Sequence, residues 1–232
     1  VTGEKDPALL EPPAALLPAR HVRRTSMLTR MCIEVFAQAA GAIDLTSVPT
    51  VFGTTYGELE TLLALLDQLW KDGEVSPSRF HNSVYNTAGG YLTIAISNRK
   101  FTTTIAGGQD TVAMALLEGM VLLEDRGGGV VVIVGDEVPG KEFLPWKEGS
   151  LAVAFYLTSE RPTQGGLARV SRPRLEKNPK AAVLPDPFAW NPAALALPLV
   201  RSVELREPGT VSLSRAGDVG WVMDVLPAEA GA

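Results

Sequence analysis

The chain has 232 residues, of which 46% are apolar and 20% charged; this is the composition of a folded domain with a sizeable core, not of a disordered segment. Its net charge of -5, from 21 Lys+Arg against 26 Asp+Glu, supplies no basic face for nucleic acid. The 1 cysteine, Cys32, excludes an internal disulfide and fits a reducing, cytoplasmic setting, and with His21 and His81 as its 2 histidines the chain cannot assemble a Cys/His zinc site.

No stretch reaches the roughly 18 uninterrupted apolar residues of a membrane span. Residues 1–6 lack the charged-then-apolar pattern of a secretion signal, and Val1-Thr2-Gly3 reads as the stump of a strand. Pro7, Pro12, Pro13 and Pro18 forbid a continuous helix, so residues 1–22 are expected to form an extended arm lying on a surface. Thr25 or Ser26 then caps a helix ending at Gly41, with Met27, Met31, Val35 and Ala39 on one face and Leu28, Cys32 and Phe36 beside them. Cys32 falls near the buried stripe and reads as a small core hydrophobe.

Residues 48–53 read as a short buried strand. A helix follows over residues 58–70, its apolar side formed by Leu59, Leu62, Leu63, Leu66 and Trp70. Ser76-Pro77 starts the next unit, and small residues at Ala88-Gly89-Gly90 predict a buried helix over 86–97 pressed against other backbone. Residues 101–106 are β-branched and read as a strand, Gly107-Gly108 as a sharp bend, and residues 109–123 as an apolar helix. Val130-Val131-Val132-Ile133-Val134 is continuous enough for a strand buried on both faces, and residues 150–157 predict another. Residues 173–187 read as loop. Asn191-Pro192 makes a good helix start with Leu195, Leu199 and Val203 on one face, and residues 210–213 and 221–226 alternate as a hairpin.

Strands alternating with helices predict an α/β fold built on a largely internal sheet. The chemistry is harder to place. His81 stands two residues from Ser83, but a hydrolytic pair needs an orienting acid and a prepared bend. The alternative for His81, Asn82 and Asn86 is the capping of helix ends. Asp110 reads as compensating a helix dipole, and Arg23 and Arg24 as a solvated helix start. Gly127-Gly128-Gly129 is not followed by the helix of a phosphate loop.

The run from Thr102-Thr103-Thr104 through Gly107-Gly108 to Val134-Gly135-Asp136-Glu137 resembles the N-terminal half of β-ketoacyl synthases, members of the thiolase-like fold. Arg23-Arg24-Thr25-Ser26, Phe52-Gly53-Thr54-Thr55-Tyr56-Gly57-Glu58, Ser76-Pro77-Ser78-Arg79-Phe80-His81-Asn82-Ser83-Val84 and Ala115-Leu116-Leu117-Glu118-Gly119 are similar to the short, chain-length-factor-like branch found in aryl polyene and related type II systems. The resemblance covers about residues 20–160 and implies a ketosynthase-like core over 23–170, carrying a divergent C-terminal extension over 171–232. That core implies a mixed sheet with helices on both faces.

In that family a cysteine thiolate at a helix N-terminus holds the acyl chain, and two imidazoles stabilise the developing enolate. The resemblance places Gln109 at the cysteine position, within a window of residues 105–110 that contains no thiol, and no histidine follows His81. It therefore implies a non-catalytic subunit that helps a partner β-ketoacyl synthase elongate a chain carried on the phosphopantetheine of an acyl carrier protein, with no cofactor of its own. Thr102, Thr103, Thr104, Gly107 and Gly108 would then lie at the pairing edge, with a homodimer as the alternative in isolation. Val112, Met114 and Leu116 would wall the acyl tunnel, with core packing as the alternative reading of the same residues. Two other readings stay open: a malonyl-carrier decarboxylase or acyltransferase using Gln109 and His81, and a carrier-protein-binding module.

Overall fold

The structure, a computed structural model, describes residues 12–41, 43–138, 149–160 and 166–228. Its centre is a mixed sheet of order β2-β1-β3-β4, formed by β1 (Thr50–Gly53), β2 (Thr102–Ile105), β3 (Gly129–Asp136) and β4 (Leu151–Thr158). β1 runs parallel to both β2 and β3, while β4 returns antiparallel to β3. The parallel pairs require crossovers, and the helices that supply them cover both faces.

β3 shows why the sheet is internal. Val130, Val132 and Val134 point into one apolar cluster, Val131 and Ile133 into the other. The first cluster is filled by α6 (Thr111–Arg126) and the second by α2 (Met27–Ala40) and α5 (Thr87–Ala95). Ser26 caps α2 by accepting from the Thr29 amide. Its buried stripe is Leu28, Cys32, Ile33 and Phe36, so the Met27/Met31/Val35 face lies one position off the core and is only half-buried. Gly119 of α6 and Gly89 of α5 sit where the helices meet the sheet. A Cβ on Gly119 would stand 2.4 Å from a Val132 methyl, and one on Gly89 3.1 Å from a Thr102 methyl.

The arm departs from expectation. Residues 1–11 lie outside the described residues, but Ala14 and Leu17 are buried in the second cluster and α1 (Ala19–Val22) follows them. Apolar side chains draw this stretch into the core, where an extended arm on a surface would have left them wet. Between β1 and β2 lie α3 (Leu59–Asp72), α4 (Pro77–Phe80) and α5. Leu65 is the buried residue of α3, while Leu62, Leu66 and Leu69 are exposed and Trp70 is 90% exposed. The apolar arc predicted for this helix exists but is rotated away from its own body.

The C-terminal region adds an antiparallel sheet in which the long strand β8 (Val219–Pro227) pairs with β5 (Ala168–Val170), β6 (Arg174–Lys177) and β7 (Gly209–Ser212). The β7–β8 hairpin was expected. β6 was not, because residues 173–187 read as loop; its residues are all exposed and carry no apolar alternation. Asn191 caps as expected, accepting from Ala193 N, but the chain opens as a 3-10 turn (Pro192–Ala196) before α7 (Leu197–Glu204). Leu195, Leu199, Leu213, Met223 and Val225 join the α6 cluster, so the second sheet and the first share one core.

Candidate functional site

The carboxyl ends of β1, β2 and β3 converge on the N-terminus of α6, the border at which parallel α/β sheets receive ligands. After β2 the chain turns through Gly107 and Gly108, the latter at φ +60°, then through a 3-10 turn (Gly108–Asp110) into α6. Thr111 holds this bend. Its hydroxyl accepts from Gly107 N at 3.0 Å and donates to Gly108 O at 2.8 Å. Thr55, from the loop after β1, adds a second hydroxyl donated to Gly108 O at 2.9 Å. Asp110 occupies the N-cap position of α6 but its side chain makes no capping bond.

The loop after β1 is organised by Asp136, at the end of β3. Its Oδ1 accepts from the Thr54 hydroxyl and from the amides of Thr55 and Tyr56, each at 2.9 Å. Burial outweighs these bonds and pushes the carboxyl up to about 6. Next to it, Glu137 accepts from Leu28 N at the start of α2, and its Oε1 has no partner among the described residues. Burial again dominates, raising it to about 8. Glu58 accepts from the Thr29 hydroxyl at 2.7 Å and is also raised by burial. Cys32 is sealed beside these carboxylates. Burial first, then the negative charges of Glu58, Asp136 and Glu137, drive its thiol far above the ordinary range, so it behaves as a core side chain and not as a nucleophile.

Gln109 stands exposed at the head of the α6 bend and accepts a hydrogen bond from Arg215 Nε at 3.0 Å. His81 lies elsewhere, exposed at the end of α4. Ser83 donates its hydroxyl to Phe80 O at 2.9 Å, a local turn bond. Asn82 ties Arg24 O to the Tyr91 hydroxyl, whereas Asn86 makes no side-chain cap to α5. Arg23 and Arg24 are exposed.

Among the described residues β2 has β1 on one side only, so Thr102, Thr103 and Thr104 form the outer edge of the sheet there. The carbonyls of Phe101 and Ile105 accept from Thr50 and Thr54, so odd-numbered residues of β2 bond inward. The backbone groups of Thr102 and Thr104 therefore point outward. The hydroxyls of these two residues are buried on the α5 side without a partner among the described residues. Beside the edge runs a mostly apolar groove of about 400 Å³, lined by Ile105, Ala106, Met114, Leu117 and Val121 with the carboxylate residue Glu118 among them. Met114 lines this groove, whereas Val112 and Leu116 face the opposite way and are core residues. Among the described residues no cluster of His, Cys, Asp or Glu is arranged to hold a metal ion, and no helix is long and apolar enough to cross a membrane.

Residues 3–193 match the family described as Beta-ketoacyl synthase, N-terminal domain, and the chain belongs to that family. Its fold is that of a solved ketosynthase (ApeO) in complex with its chain length factor (ApeC) from Xenorhabdus doucetiae, with a TM-score of 0.67 at 20% identity over 90% of this chain and 81% of that one. The ishigamide ketosynthase/chain length factor is similar with a TM-score of 0.56 at 19% identity, covering 88% of this chain and 59% of that one. No curated protein matches. Sequence reasoning missed Thr111 and Arg215, and quoted Thr55 and Asp136 only within motifs, without a role in the site. Their signal is hydroxyls and charge next to strand ends, which a single sequence does not separate from loop polarity.

Proposed function

We propose that this chain is a non-catalytic, chain-length-factor-like subunit that pairs with a catalytic β-ketoacyl synthase and helps shape the path of a growing acyl chain in an aryl polyene-type system. One observation carries the reading. The bend that leads into α6, where the resemblance puts the family's thiolate, holds no cysteine: Gln109 stands there, an amide that cannot form a thioester, while Cys32 is sealed in the core. The chain's 2 histidines, His21 and His81, do not stand at that bend.

The edge of β2, unpaired among the described residues, and the groove beside it support a partner of related fold. An exposed edge with outward amides at Thr102 and Thr104 invites strand addition. The groove at Met114 and Val121 supports a wall for an apolar chain carried on the phosphopantetheine of an acyl carrier protein. The likeness to two ketosynthase/chain length factor structures supports the same assignment.

The test is co-expression with a ketosynthase bearing Cys and two His. The expected result is a stable 1:1 complex that elongates malonyl units, with activity lost when the partner's cysteine is removed and retained in Gln109→Ala. Elongation by this chain alone refutes the assignment. Malonyl decarboxylation by this chain alone that is abolished by Gln109→Ala or His81→Ala replaces it with the decarboxylase reading.

A further inference from the structure

The C-terminal segment closes a ring of hydrogen bonds over the strand ends. Thr55 ties the loop after β1 to the bend through Gly108 O, and Thr54 ties the same loop to Asp136. Asn191, itself buried, donates Nδ2 to Asp136 O at 2.9 Å and to Gly149 O at 2.8 Å. Arg215 donates from its two Nη atoms to Ala189 O and Asn191 O, and from Nε to Gln109 Oε1. The last bond returns to the bend where the first began, so the described loops on this border form a closed ring.

The border where an α/β sheet would take a ligand is thus bridged by the chain's own residues 189–215. A guanidinium has donors and no acceptor, which settles the orientation of the amide it meets. Gln109 turns Oε1 toward Arg215 and Nε2 away from it.

We propose that Arg215 is a clasp: a positioning residue that buckles the C-terminal segment onto the bend at residues 107–109 and sets the face presented at the head of α6 before anything binds. Burial moves the pKa of the Arg215 guanidinium down from its ordinary value, and an arginine side chain keeps its charge in proteins, so all its donors stay available to the clasp. The device belongs to the free chain and does not depend on pairing with a ketosynthase.

Hydrogen exchange on the full chain tests it, read by mass spectrometry on peptides covering residues 106–111 and 186–193. Arg215→Ala is expected to speed exchange about tenfold in both segments while leaving β3 protected. Gln109→Ala speeds the bend alone. Gln109→Glu, whose carboxylate accepts a charge-assisted bond from Arg215, holds the bend at or below the wild-type rate. Wild-type exchange in both segments of folded Arg215→Ala overturns the proposal. Should that variant fail to fold, the two surface changes at Gln109 decide: equal rates for Ala and Glu overturn the clasp, and slower exchange in Glu supports it.

Discussion

The Thr54 hydroxyl donates to Asp136 Oδ1 at 2.9 Å across 82 positions of sequence, joining the loop after β1 to the end of β3. The same oxygen holds the Thr55 and Tyr56 amides. Asp136→Ala removes the acceptor and strands those donors, with an expected loss of about 3 kcal/mol in urea unfolding. Asp136→Asn keeps an acceptor oxygen and is expected to lose less than half as much.

The buried carboxyls set a pH dependence. Asp136 rises from 3.8 to about 6 and Glu137 from 4.5 to about 8, so the folded state keeps protons that the unfolded state has already released. Stability is complete below the ordinary carboxyl range and falls as pH rises through about 6 and about 8. Melting temperature is expected to decline between pH 5 and pH 8.5, and Glu137→Gln is expected to flatten the upper part of that decline. A melting curve that rises over this interval contradicts the assignment.

Gly119 permits α6 to approach β3. Ala in a helix is ordinarily preferred to Gly by about 1 kcal/mol. At this site its Cβ meets Val132 at 2.4 Å, so Gly119→Ala is expected to destabilise by about 2 kcal/mol instead. Adding Val132→Ala opens the space, and calorimetry is expected to show the double variant less destabilised than the two single effects summed.

Edge pairing separates two neighbouring prolines. Thr104 turns its amide outward, so Thr104→Pro is expected to leave the chain folded while abolishing co-purification with a ketosynthase. Thr103 bonds inward to β1, and Thr103→Pro is expected to lower the melting temperature of the chain itself. Retention of the complex by folded Thr104→Pro argues against pairing through β2.

Met114→Trp fills the groove without entering the core. In a reconstituted complex the expected outcome is a shorter product by mass spectrometry, with complex formation intact. An unchanged product length removes the groove from the acyl path.

The sheet was legible because its strands carry unmistakable patterns: five consecutive apolar residues from Val130 to Val134, and threonines at 102–104 before a Gly-Gly bend. The bend and the core role of Cys32 followed from local rules. β5 and β6 did not, being short and held by β8 from about fifty residues away rather than by propensity. The ring closed by Arg215 was equally invisible, since its partner Gln109 lies 106 positions earlier and nothing local marks the pair. α3 misled in a different way: its periodicity is real, but periodicity does not say which body an apolar arc faces.

That arc has a consequence for the cell. Leu62, Leu66, Leu69 and Trp70 leave an oily ridge on the unassembled polypeptide, close in sequence to the likewise uncovered Phe80 and Val84. Quality-control machinery clears polypeptides that display such surface, so an orphaned copy should be short-lived.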